Sequence, residues 1–150
     1  FIGAAANPFA DPFEYRVDRL AKKIKAGADF IQTQAVYDVA KFARYMKMVT
    51  DRDLDKQVHI LAGVIPIRSA GMARYMKNSV PGVSVPDEII TRMAAAKDTA
   101  KEEGIKIILE IIEQIKQIPG VHGIHIMAVG WEEIVPELVE KAGLMPRPRL

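Results

Sequence analysis

Gln32 and Gln34, two residues apart, close a short apolar run, Asp29–Gln34 (DFIQTQ). Side chains alternate across a strand, so the two glutamines share one face and Ile31 and Thr33 the other. A carboxamide offers donors and acceptors, which matches the amide-like edge of a pterin or similar heterocycle. The same group can instead be satisfied by neighbouring backbone. Asn7-Pro8 either shapes a ligand loop or makes a turn. Lys22 and Lys23 can meet a phosphate, or be two solvated helix lysines. His59, His122 and His125 lack metal-ligand spacing. His125, between Ile124 and Ile126, either points inward or is satisfied within its strand. Met72, Met76 and Met127 read as core. Trp131, after Gly130, either covers a ligand or packs on the next loop. No paired carboxylates, Ser-His-Asp set or nucleophile motif stands out.

The elements that position these residues alternate between apolar strands and amphipathic helices. Phe1–Ala6 reads as a strand. Asp11 suits an N-cap, Pro12 the first helical position and Glu14 the reciprocal cap, for a helix running to about Ala26 and stopped by Gly27. Asp29–Gln34 is the second strand, and Asp38 caps a helix to about Val49. Val58–Ile65 is the third strand, and Ser69 caps a short helix through Lys77. Pro86-Asp87 opens further helix, with apolar stripes at Ile89, Ile90 and Met93, then at Ile105, Ile108, Leu109, Ile112 and Ile115. Gly104 lies inside this pattern and implies a close packing contact. Gly123–Val129 is the fourth strand and Glu132–Ala142 the last helix. The tail MPRPRL is expected to be mobile at its tip.

Four βα units with short connections predict a parallel sheet with right-handed crossovers. An open doubly wound sheet and a barrel share this pattern, but GxGxxG and GxxxxGK[ST] are both absent. In either fold ligands bind at the carboxyl ends of the strands. That selects Asn7, the stretch from Thr33-Gln34 to Tyr37, Pro66–Arg68 and Met127–Trp131.

Composition narrows the field. Of 150 residues, 49% are hydrophobic and 27% charged, a globular balance. The net charge of +2 is spread among both signs, which points to neither nucleic acid nor a membrane surface. The longest apolar run, near Ile105–Ile118, is broken by Lys106, Glu110, Glu113 and Lys116, unlike a membrane span. The absence of cysteine excludes disulfides and thiolate chemistry and fits a reducing cytoplasm. The chain opens at Phe1 inside a strand-like run without Met, so it reads as a fragment.

Three segments together resemble the methylenetetrahydrofolate reductase family: GAAANPFADPFEYRVDRLAKKIKAGADFIQTQAVYD, ILAGVIPIRSAGMARYM and GIHIMAVGWEEIVPELVEKAGL. AGADFIQTQ followed by an acidic helix start is the most specific part. The resemblance implies a TIM (β/α)8-type barrel, of which residues 1–150 supply the C-terminal four βα units, a half-barrel. It implies flavin-dependent reduction of 5,10-methylenetetrahydrofolate to 5-methyltetrahydrofolate, with FAD or FMN as cofactor and NAD(P)H or another electron donor. Gln34 falls where the family bonds the folate pterin. Asn7 and Asp11 fall in a loop that touches the flavin. Lys23, with Lys22 as a weaker match, falls near the flavin phosphates. Met76 stands where many bacterial members place an aromatic over folate or nicotinamide. Trp131 stands where they place an Arg after the last strand, so a donor other than free nicotinamide, delivered by a partner subunit, is implied. The family's catalytic acid, on the first barrel strand, and its flavin-tuning Asp, after the fourth, fall in segments this chain lacks.

Read this way, the chain is part of an oxidoreductase of one-carbon and methionine metabolism, inactive alone. Its partners would be a folate-type substrate and an N-terminal half-barrel or partner subunit, in a homo- or hetero-oligomer. The alternatives are a non-catalytic half-barrel interaction subunit, whose open edges need cover, and another pterin-binding barrel such as a corrinoid methyltransferase.

Overall fold

The computed structural model describes residues 1–146. The tip of the tail expected to be mobile, 147–150, lies outside the described residues. Strands β1 (Gly3–Ala6), β2 (Phe30–Ala35), β3 (His59–Val64) and β4 (Gly123–Ile126) form one parallel sheet in the order β1-β2-β3-β4. A doubly wound sheet reverses its order at a switch point. Here each strand pairs with the next in sequence, so the sheet has no such reversal.

The pairing register sets Ala5, Gln32, Leu61 and Gly123 in one row. The row before it holds Ala4, Ile31 and Ile60. Ile31 and Ile60 are buried, while Gln32 and Leu61 are only half-buried. The predicted alternation therefore holds: one face belongs to the helix-packed core and the other stays partly open. The core joins the first face to Val17, Leu20, Phe42, Met46, Ile108 and Ile112 from the helices.

Those helices are α1 (Tyr15–Lys25), α2 (Val39–Thr50), α3 (Ala70–Ser79), α4 (Asp87–Ala95), α5 (Ala100–Ile115) and α6 (Val135–Lys141). The expected caps of α2 and α3 are formed. Asp38 accepts from the Lys41 N–H at 2.9 Å and Ser69 from the Met72 N–H at 3.1 Å. Each satisfies a main-chain donor that the first helical turn leaves open. The two stripes after Pro86 become separate helices, divided by a 3-10 turn at Lys97–Thr99. Gly104 packs as anticipated, since a β carbon there would collide with the Ile67 carbonyl.

Most boundaries shift by only a residue or two, and the larger departures have physical reasons. Helix α1 begins at Tyr15, and neither Asp11 nor Glu14 caps it by its side chain. Phe9 and Phe13 are buried, which folds Asn7–Phe13 against the core before the helix can start. Strand β4 stops at Ile126, because the chain turns where the Trp131 N–H bonds the Ala128 carbonyl at 3.0 Å. The last helix opens as a 3-10 turn, Glu132–Ile134, and Pro136 sits in the first turn of α6, where its missing N–H costs nothing.

Candidate functional site

Ala6 pairs with Thr33, so β1 and β2 end side by side. Beyond them lies a cleft of about 290 Å³, walled by Ala5, Ala6 and Leu20 and carrying Asn7, Arg16, Arg19, Lys23 and Gln34. It sits at the carboxyl end of the strands, where parallel βα folds bind ligands.

Helix α1 delivers the three cations. Arg16, Arg19 and Lys23 are three and four residues apart and share one face, while Val17 and Leu20 turn into the core. Arg16 donates to the Asp11 and Pro12 carbonyls, and the Lys23 ammonium donates to the Ala5 carbonyl. Main-chain carbonyls orient Arg16 and Lys23 without neutralising them, so they keep a net attraction for an anion. Lys23, singled out from the sequence, lines this cleft, and so do Arg16 and Arg19, which were not singled out. Their spacing from Lys23 beside a strand end was the available signal.

The loop after β1 is shaped by Asn7. Its side-chain oxygen accepts from the Phe9 and Ala10 N–H groups at 3.1 and 3.2 Å, an Asx turn. Its amide nitrogen lies against Gly82, which has φ 79° and no room for a β carbon. Asn7 thus makes a turn and lines the cleft.

Gln34 is exposed at the cleft. It lies within an irregularity in the β2–β3 ladder. Gln32 pairs with Leu61 and Ala35 with Gly63, so β2 holds one residue more than β3 over this stretch. Thr33, buried, fills the gap: its hydroxyl accepts from the Gly63 N–H and donates to the Gln34 carbonyl, each at 2.9 Å. Tyr37, beyond the strand, is also buried, and its hydroxyl donates to the Ile65 carbonyl at 2.9 Å. Burial pushes this phenol well above its ordinary pKa. It is a brace between strand ends.

The other residues singled out lie apart. Lys22 donates to the Tyr15 hydroxyl at 3.2 Å and is exposed outside the cleft. Asp11 is exposed beside Lys41 and Lys77, in a separate shallow depression. Met76 and Trp131 are buried in the core. Arg68, after β3, donates to the Gly130 carbonyl at 2.7 Å and ties the loops following β3 and β4.

The opposite end of the sheet carries its own polar group. His59 opens β3 and His122 precedes β4, their rings edge to face at 5.3 Å between centroids. His122 Nδ1 accepts from the Ile60 N–H at 3.1 Å. Burial, then the neighbouring His59 charge, hold the His122 pKa below its ordinary value. The buried Nδ1 of His125, within β4, has no hydrogen-bond partner among the described residues. Among those residues no three His, Cys, Asp or Glu side chains group to hold a metal, and no helix is long and apolar enough to cross a membrane.

Known proteins match this chain over most of its length. The family model for methylenetetrahydrofolate reductase matches residues 2–143. Methylenetetrahydrofolate reductase 2 of Saccharomyces cerevisiae is 27% identical over 155 residues, covering 97% of this chain and 25% of that protein. Methylenetetrahydrofolate reductase 2 of Schizosaccharomyces pombe is 30% identical over 135 residues, covering 85% of this chain and 21% of that protein. The chain thus spans about a quarter of the length of the curated relatives it matches. A similar fold occurs in an uncharacterized protein from Clostridium thermocellum that binds two copies of 5-methyl-5,6,7,8-tetrahydrofolic acid. The TM-score is 0.58 at 21% identity, over 95% of this chain and 52% of that one. With a family match running from the first strand past the last helix, the chain belongs to the methylenetetrahydrofolate reductase family.

Proposed function

We propose that this chain is the C-terminal half of a (β/α)8 barrel that binds a flavin and reduces 5,10-methylenetetrahydrofolate to 5-methyltetrahydrofolate. The observation that carries this reading is a convergence. Asn7, Lys23 and Gln34, each marked for ligand contact by family resemblance, line one cleft at the carboxyl end of the sheet. The sequential strand order and the length relative to the Clostridium thermocellum protein support the half-barrel. So does an apolar groove of about 530 Å³ beside the unpaired edge of β4, lined in part by Ile124, Ile126, Val135 and Val139. The other half-barrel, or a partner subunit, would cover that edge.

The cleft residues fit a flavin nucleotide. Arg16, Arg19 and Lys23 present three cations on one helix face, which suits the diphosphate of FAD better than the single phosphate of FMN. When bound, the flavin supplies the two-electron redox chemistry at its ring. The chain's own residues bind and orient. Arg16, Arg19 and Lys23 hold phosphate oxygens, Asn7 fixes the loop beside them, and Gln34 bonds the amide-like edge of the pterin. Met76 and Trp131 meet substrate only along the small surfaces their burial leaves. Because Trp131 stands where many bacterial members place an Arg, a donor other than free NAD(P)H, delivered by a partner subunit, is favoured over NAD(P)H itself. The proton donor to substrate, the family's acid, lies on another strand.

The test is to purify the encoded full-length polypeptide beside the isolated chain. The full-length protein is expected to be yellow and to reduce methylenetetrahydrofolate, while the chain alone retains little flavin. A colourless full-length protein that binds no folate overturns the proposal.

A further inference from the structure

Buried threonine in β2 poses a question that strand preference does not answer. Val and Thr have nearly the same shape, and Val is at least as good a strand former without a hydroxyl to satisfy. Thr33 is 4% exposed, so its hydroxyl must be bonded by protein to be tolerated. It is bonded twice, to Gly63 and to Gln34, and both bonds lie at the irregular step of the ladder.

A β-bulge leaves main-chain groups without ladder partners and re-aims the side chains beside it. At this bulge the Gly63 N–H donates to the Thr33 hydroxyl at 2.9 Å, a side-chain bond added where Gly63 pairs with Ala35. The hydroxyl hydrogen is directed to the carbonyl of the next residue, Gln34. The regular ladder then resumes with the Val36 N–H on the Gly63 carbonyl at 2.9 Å. Gly63 allows this approach, because a β carbon there would collide with the Thr33 carbonyl. The bulge is thus held from both strands, and Gln34 is the exposed residue whose direction it fixes.

We infer that Thr33 is a positioning residue for ligand recognition: through its hydroxyl it locks the β2–β3 bulge that aims the Gln34 carboxamide into the carboxyl-end cleft. This rests on the reading of Gln34 as the pterin contact. Thr33 touches no ligand itself. Losing its hydroxyl removes both side-chain bonds that tie the bulge, to the Gly63 N–H and to the Gln34 carbonyl, and frees the main chain to shift at Gln34.

The experiment is steady-state kinetics on the full-length protein with Thr33→Val, Thr33→Ser, Gln34→Ala and the Thr33→Val/Gln34→Ala double variant. Thr33→Val is expected to raise KM for methylenetetrahydrofolate about tenfold, the size of one or two neutral hydrogen bonds. Flavin content should stay unchanged. Thr33→Ser, which keeps the hydroxyl, should return KM to within about twofold. On the Gln34→Ala background Thr33→Val should add nothing, since the two act as one unit. Should Thr33→Val be too unstable to assay, Thr33→Cys against Thr33→Ser asks the same question, because a thiol is a weak acceptor. An unchanged KM in a folded hydroxyl-free variant, absence of rescue by Ser, or additive effects in the double variant overturns the inference. If Gln34→Ala itself leaves KM unchanged, the reading of Gln34 fails and this inference with it. If only Gln34→Ala raises KM, the pterin contact stands and the role of Thr33 falls.

Discussion

Both ends of the sheet gather polar side chains, yet they differ in what those side chains have left to offer. At the amino end, His122 accepts from the Ile60 N–H and sits edge-on to His59. Its acceptor nitrogen is used within the protein, next to the first residues of β3. At the carboxyl end, Arg16 and Lys23 lean on carbonyls and Gln34 is exposed, all around one cleft. The first arrangement ties neighbouring strands together. The second leaves charge and hydrogen-bonding capacity facing a cavity. Crowding of polar groups therefore does not by itself mark a site in this fold, and the proposed site rests instead on unneutralised capacity at a strand end.

Variants at the two ends should separate these roles. The largest effect is expected from Arg16→Gln, Arg19→Gln and Lys23→Gln together in the full-length protein. Charge-assisted contacts contribute about 1.5–3 kcal/mol each and tenfold corresponds to about 1.4 kcal/mol, so flavin affinity should fall more than about 100-fold. The melting temperature of the flavin-free protein should change little, because these side chains are outside the core. Flavin titration with a thermal scan checks both, and full flavin retention would erase the contrast between the ends. His122→Ala should do the reverse. It leaves the Ile60 N–H unpaired and should cost about 1–2 kcal/mol in urea unfolding, with flavin and folate binding unchanged.

A smaller effect is expected with pH. The folded-state pKa of His122 is depressed, so the unfolded chain takes up a proton first as the solution is acidified. Stability should be at its plateau above the ordinary value of 6.5 and decline as pH falls from there toward the depressed folded-state value. His122→Ala should flatten that part of the profile, and an unchanged slope would remove His122 as its source. The smallest effect is expected from Lys22→Ala, which should shift stability by no more than about 0.5 kcal/mol and leave flavin content intact. Lys22 neighbours Lys23 in sequence but lies outside the cleft, so flavin loss in Lys22→Ala would break the assignment of the cleft.

The pattern of four strands and amphipathic helices was legible because burial imposes periods of two and 3.6 on the chain. Gly104, Asp38 and Ser69 were readable for the same reason: each answers a local steric or capping need. The start of α1 was not, since Asp11-Pro12 satisfies the local rule for a helix start while burial of Phe9 and Phe13 overrides it. Within the site, Gln34 was readable from alternation and Lys23 from resemblance. Arg16 and Arg19 were hidden among surface cations until the fold set their helix face beside the end of β1. Thr33 was legible only as a residue on the strand face opposite two glutamines. Its work depends on a one-residue mismatch between two strands, which neither strand's sequence contains alone.

The most direct test of the carboxyl-end cleft as a pterin site is the equilibrium affinity of Gln34→Ala for 5-methyltetrahydrofolate, measured in the flavin-loaded full-length protein. Loss of the carboxamide should weaken binding about tenfold or more while flavin content stays at the wild-type level. Wild-type affinity in a folded, flavin-loaded Gln34→Ala protein would contradict the account.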